Sequence, residues 1–278
     1  MAQAKNKPAA SETAISVPQA GGEVAIYDYG QAAGAGWEDT DTDDFSIPWI
    51  KQLQSLSPEV EEGGDAQVEG AKAGLFFNTV TKELMPSFNF IVVRREHVYV
   101  EWVPDNGGYA GTHQKDSPVV ADAKANAVDQ NKMKTENGND LIDTFQLYLG
   151  ILNEAGDEVT DFAIMAFTST KQKPYRDMMT RLRTIKGSKN IPLFAHRSTM
   201  TAVKAQNKKG ERYFNVETAP LLDTTAASLL NPADATHVAL LESAQGFAEG
   251  VSSGERTVKY EAPVEGSEAG EEATDGVF

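Results

Sequence analysis

The segment that most limits how this chain can fold runs from about residue 145 to residue 217, where two alternating hairpins flank a single amphipathic helix. Phe145, Leu147, Leu149 and Ile151 fall on every second residue, 153–157 turn the chain, and 162–167 return it. That period of two is the signature of paired strands with one buried face. A helical pattern then takes over. Tyr175, Met178, Met179, Leu182 and Ile185 line one face at spacings of three and four, Thr170 or a neighbouring hydroxyl residue is placed to cap the start, Pro174 sits near the first turn, and Gly187 is placed to stop it. Two further strands, 198–205 and 211–217, flank the turn Asn207-Lys208-Lys209-Gly210.

Upstream, 74–80, 88–93 and 97–102 carry the same β signature, with Val98, Val100 and Trp102 on one face and Tyr99 and Glu101 on the other. Residues 104–111 form a glycine-rich loop, and the polar stretch 121–140 is an insertion, partly helical at best. Asn231-Pro232 opens a second helix running to about Glu249. The expected class is α+β, mainly β. A small OB-like barrel with one packed amphipathic helix satisfies the order of elements, and so does an open α+β sheet of another type. The expected organisation is a disordered arm over 1–42, a core over 43–220, a helical extension over 221–254 and an acidic, disordered tail over 255–278.

Charge separates the chain more sharply than hydropathy does. The net charge is −16, yet between Lys171 and Arg212 stand 12 Lys/Arg and only Asp177 and Glu211, a local +10 against −26 for the rest. Such a split marks a surface for an anionic polymer more strongly than the total argues against one.

Reactive chemistry finds little support. There is no cysteine, which removes disulfides and thiolate metal sites. His97, His113, His196 and His237 lack ligand spacing, and the carboxylates after Trp37 fit a calcium loop poorly, with Asp44 where glycine belongs and Ile50 where glutamate belongs. Gly250-Val251-Ser252-Ser253-Gly254 matches a nucleophile elbow in letters only, because a helix precedes it and no histidine follows. No enzyme activity, metal or cofactor is expected. No apolar run is long enough to span a bilayer, so no membrane partner is expected either.

A binding constellation fits better. Along the helix, Lys173, Arg176, Thr180 and Arg183 share a face away from the apolar stripe, Lys171 precedes them, Arg181 and Lys186 flank the core side, and Lys189 extends the row. The following hairpin adds Arg197, Lys204, Lys208, Lys209 and Arg212. A line of cations is what a phosphate backbone requires, and unpaired bases also need flat rings. Tyr109, Tyr175, Phe194 and Tyr213 are the candidate platforms. The bland alternatives are a solvated basic face and core aromatics.

Several short patterns point the same way. Asp43-Asp44-Phe45-Ser46-Ile47-Pro48-Trp49, Glu101-Trp102-Val103-Pro104 before Gly107-Gly108, Phe167-Thr168-Ser169-Thr170 with its basic helix, 207–214, and the acidic tail closing on Phe278 together resemble tailed-phage single-stranded DNA-binding proteins. The resemblance implies an OB-like barrel with a helix between its third and fourth strands, and a protein that coats single-stranded DNA in the cytoplasm of an infected bacterium. It also implies that the tail, through Asp275 and Phe278, recruits phage replication or recombination proteins. N-4-like phage DNA-binding proteins that serve as RNA polymerase cofactors give a transcriptional alternative, and a virion or scaffold component is a third. Self-association is left open.

Overall fold

The computed structural model describes residues 46–105, 107–128, 132–185, 190–207 and 209–253. The expected arm over 1–42 and tail over 255–278 lie outside them. The described residues form a mainly β structure of antiparallel sheets with three α-helices.

Two long strands make the spine. β4 (Ser87–Val103) pairs with β7 (Asp140–Leu152) along nearly its whole length. The sequence shows two separate β stretches here because Arg94, Arg95 and Glu96 interrupt the apolar pattern. A bulge between Val92 and Arg94 keeps the strand continuous while changing which side chains share a face. Around the spine, β8 (Val159–Phe167) pairs with β7, and β9 (Arg197–Gln206) pairs with the first residues of β4 and with β10 (Arg212–Pro220). The far end of the spine carries β5 (Gly108–Gln114) on β4 and the two-residue β6 (Met133–Lys134) on β7. The expected glycine-rich loop therefore closes early and becomes a strand. The polar insertion contains a real helix, α1 (Pro118–Asn126), whose first turn is capped by Ser117.

α2 (Gln172–Arg183) joins β8 to β9 and follows a short 3₁₀ turn at Ser169–Lys171. Thr170 does not cap it; Lys171 holds that position, without a side-chain cap. α3 (Ala235–Ser253) starts after Asp234, whose carboxylate accepts from the backbone N–H groups of Thr236 and His237, so the true cap lies two residues past Pro232.

The alternation of β4 and β7 feeds two cores. Phe88, Phe90, Val92, Leu147, Leu149 and Ile151 face a cluster completed by Met165, Phe167, Met200, Val216 and the α2 stripe of Tyr175, Met178 and Leu182. Ile91, Val93, Tyr148, Leu152 and Ile164 face the other way, under α3, where Leu240, Ala244 and Phe247 cover them. Phe247 lies flat on Phe162, with ring centroids 3.9 Å apart and planes 10° from parallel. A third, smaller cluster seats α1 on Tyr99, Leu141 and Met133.

A separate three-stranded sheet, β1 (Ile50–Gln52), β2 (Phe76–Asn78) and β3 (Leu84–Met85), lies between the edges of β8 and β10. Trp49 bridges to Ile164 of β8. On the other side the contact is made by side chains. The Gln54 amide donates to the Phe214 carbonyl at 2.9 Å and accepts from the Phe214 N–H at 2.9 Å, and Gln52 donates to the Asn215 carbonyl at 2.8 Å. Backbone pairing thus does not close the main sheet into a barrel among the described residues. The edge of β10 is sealed by amides instead.

Candidate nucleic-acid interface

The predicted cations sort into three groups. Lys173, Arg176 and Arg183 are exposed on α2, and Lys204, Lys209 and Arg212 are exposed on the β9–β10 hairpin. The register pairs Lys204 with Phe214 and Gln206 with Arg212, so Lys204 and Arg212 share the hairpin face that continues Ala202 and Val216. Lys186, Lys189 and Lys208 lie outside the described residues, as do Asp275 and Phe278.

Of the inward group, Arg197 and Arg181 are spent on hydrogen bonds to the backbone. Arg197 is buried; it donates to the carbonyls of Ser228 and Gly156 at 3.3 and 3.0 Å, and burial pulls its pKa down against the opposing pull of Asp157 and Asp234. Arg181 is half-buried and donates to the Thr218 carbonyl, tying α2 to the β10 edge. Lys171 is half-buried where α2 begins, and desolvation lowers its ammonium to about 8.

Of the predicted rings one is buried and three are half-buried. Tyr175 is 3% exposed and belongs to the main core. Phe194 packs against the α3-side cluster. Tyr109 meets Trp102 edge-on at 5.9 Å, with its hydroxyl 3.0 Å from that of Thr112. Tyr213 is half-buried opposite Ala205. Helical spacing alone could not distinguish Tyr175 from Met178, because both belong to the apolar stripe.

The structure also assembles a ring series that the sequence reading missed. Phe145 stacks on Tyr175 at 4.3 Å and on His97 at 4.4 Å, and His97 lies 5.6 Å from Tyr99, over which Lys124 places its ammonium at 4.6 Å. His97 and Phe145 are directly opposite in the β4–β7 ladder. His97 is fixed by Asp143 at 2.6 Å. Next along the same face, Arg95 is exposed and donates to the Tyr175 hydroxyl at 3.2 Å. The available signal was the alternation Arg95, His97, Tyr99, legible only once the bulge at Val93 is known.

Farther out, Glu101 is buried and bonded to His113 at 2.6 Å, Asn139 at 2.8 Å and Thr135 at 3.1 Å. Burial pushes its carboxyl up, but these partners together outweigh that and hold it below the usual range. The cluster ties β5 and the β6–β7 turn to the spine, a structural duty. Ser252 sits within α3, donating to the Ala248 carbonyl and accepting from Arg94, which leaves it no nucleophile geometry. Among the described residues no group of three or more His, Cys, Asp or Glu is placed to hold a metal, and no helix is long and apolar enough to cross a membrane.

Fold and surface define a mainly antiparallel β protein with a basic helix docked at the end of its main core. Residues 18–257 match the family described as Pam3 phage gp34-like protein, and the chain belongs to that bacteriophage family. No curated protein and no solved structure matches it.

Proposed function

We propose that this phage protein binds single-stranded DNA through α2 and the β9–β10 hairpin, in replication or recombination. The observation that carries the reading is the one-sided set of exposed cations, Lys173, Arg176, Lys204, Lys209 and Arg212, in a chain of net charge −16. None of these five has an ion-pair partner among the described residues, whereas Lys51, Arg94 and Lys134 each have a carboxylate. A surface where cations outnumber acids this strongly, in an otherwise acidic protein, suits a phosphate backbone.

The strand succession supports the same reading. β4, β7 and β8 in series, then α2, then the β9–β10 hairpin returning to β4, is the order of an OB-like domain with its helix between third and fourth strands. Such domains bind oligonucleotides on the face of the second and third strands and on neighbouring loops. Here both faces of β7 and β8 are buried, one under α3 and the other in the core that α2 completes, so the proposed track runs over the outer surface of α2 and the β9–β10 hairpin instead.

A gel-shift comparison of single-stranded DNA, duplex DNA and RNA at two salt concentrations tests it. Preference for the single strand is expected, with a slope of log K on log salt of roughly −3.5 if about five phosphates are neutralised. Equal binding to duplex, a flat salt response or RNA preference would overturn the assignment. A protein that ignores nucleic acid and assembles with itself would instead be a virion or scaffold component.

A further inference from the structure

Four rings were candidates for stacking on unpaired bases, and the packing of the fold occupies three of them. Tyr175 lies in the main core against Phe145 at 4.3 Å, Phe194 belongs to the α3-side cluster, and Tyr109 is turned edge-on to Trp102 at 5.9 Å. Tyr213 differs. It joins none of the three apolar clusters, and among the described residues it has no hydrogen bond and no ring contact. The ladder explains why. Val216 and Ala202, opposite one another, face the main core, so Phe214 and Arg212 follow on that side and Tyr213 projects from the other. That other face of the sheet carries α3, but the cluster beneath α3 draws no residue from β9 or β10. Tyr213 therefore stands outside both packed faces, half-buried on the hairpin.

Its surroundings suit a flat ligand. Directly across the ladder is Ala205, a single methyl, and the diagonal neighbour is Val203. The strand that carries the ring is firmly held. Phe214, the next residue, has both backbone groups bonded to the Gln54 amide at 2.9 Å, and its ring lies against Gly74, where a Cβ would come within 2.6 Å. On the turn side, Asn207 accepts from the Glu211 N–H at 2.9 Å and donates to the Glu211 carboxylate at 2.5 Å. That second bond also engages the acid closest in sequence to Tyr213 on its face; Glu217 stands four residues farther along. The amide seam begins at Phe214, so the β10 edge at Arg212 and Tyr213 has no strand or amide beside it among the described residues. Arg212 is exposed on the opposite face, one residue away, with no ion pair among the described residues. A nucleic-acid strand crossing this open edge meets a guanidinium on one side and an aromatic ring on the other, the pair of contacts that unpaired nucleotides use.

We infer that Tyr213 stacks on one unpaired base while Arg212, across the β10 edge, holds a neighbouring phosphate. The inference rests on the single-stranded DNA reading above and adds to it a contact with the base itself, which the cations do not provide. The two residues then contribute differently. The ring supplies affinity that salt does not screen, and the guanidinium supplies affinity that it does.

The test measures anisotropy of two labelled probes of equal length, an oligothymidylate and a strand of abasic residues, across a salt series. Wild type is compared with Tyr213→Ala, Tyr213→Leu, Tyr213→Phe and Arg212→Gln, and thermal melting checks the fold. Wild type should bind the oligothymidylate roughly tenfold more tightly than the abasic strand. Tyr213→Ala and Tyr213→Leu should lose about tenfold on the oligothymidylate at an unchanged salt slope, and lose nothing on the abasic strand. Tyr213→Phe, which keeps the flat ring, should match wild type. Arg212→Gln should weaken both probes alike and make the slope shallower by roughly 0.7, one phosphate on a single strand. Wild-type affinity for the oligothymidylate in folded Tyr213→Leu, or an equal loss on both probes, would overturn the stacking. An unchanged slope in Arg212→Gln would overturn the phosphate contact. A wild type that binds both probes alike, with a steep salt slope, would overturn the stacking and leave the DNA reading intact. A wild type that binds neither probe overturns both.

Discussion

Replacing Arg197 by alanine separates a cation that builds the fold from those that face solvent. Arg197 stands in the densest basic stretch of the chain, yet only 7% of it is exposed. Truncation orphans the Gly156 carbonyl, which accepts its guanidinium at 3.0 Å, at a cost of about 1–3 kcal/mol. The Ser228 carbonyl keeps the Arg197 backbone N–H at 3.2 Å, so losing its second donor costs only about 0.5–1 kcal/mol. The aliphatic stem packs beside Gly156, and its loss contributes on the order of 1 kcal/mol. The expected destabilisation is about 3 kcal/mol, or roughly 6–12 °C in melting temperature for a protein of this size. Urea denaturation and thermal melting measure it, and anisotropy measures the DNA salt slope of the folded variant, which should be unchanged. A variant of wild-type stability with a slope shallower by about 0.7 would refute the assignment of Arg197 to the interior.

Three further outcomes follow from charge. Glu101 is held below the usual carboxylate range, so its stabilising effect is full above its unfolded value and is lost as pH falls through the folded one; Glu101→Gln should therefore lower stability at neutral pH and flatten the acid limb of a stability–pH profile, and an unchanged limb would rule this out. Lys171, at about 8, should lose its charge between pH 7 and pH 9, so wild-type DNA affinity should fall over that interval more steeply than that of Lys171→Met; parallel curves would show that Lys171 does not meet phosphate. Deleting 261–278 removes six carboxylates tethered to a chain with a +10 segment and should tighten DNA binding, most at low salt; equal affinities at low salt would show that the tail does not compete.

The hairpin–helix–hairpin order was legible because its alternation and helical spacing lie within continuous stretches, and β7, β8, α2, β9 and β10 fall where those periods place them. Boundaries moved where hydrogen bonding overrode composition, as when Asp234 capped α3 in place of Asn231. β4 was hidden because a bulge breaks the period that identifies a strand, and the same bulge hid Arg95. The expected barrel depends on pairing between strands distant in sequence, which no local pattern encodes, and here amides take its place on the β10 side. Of the charge run, Lys173, Arg176, Lys204, Lys209 and Arg212 are exposed. Net charge could not show that Arg197 and Arg181 are used as hydrogen-bond donors to backbone, because composition does not record which cations a fold turns inward.

The amide seam on β10 has a consequence for how the molecule forms. Its hydrogen bonds join Gln52 and Gln54 to residues 163 and 160 positions later in the chain. Loop-closure entropy makes contacts of such separation late events, formed after the local hairpins and α2. During synthesis, β1 therefore waits for nearly the whole core to emerge before it can engage β10. Until that moment β10 is an open edge able to pair with another chain. The interval between emergence of β10 and docking of the two glutamines is when the nascent protein is most exposed to misassociation.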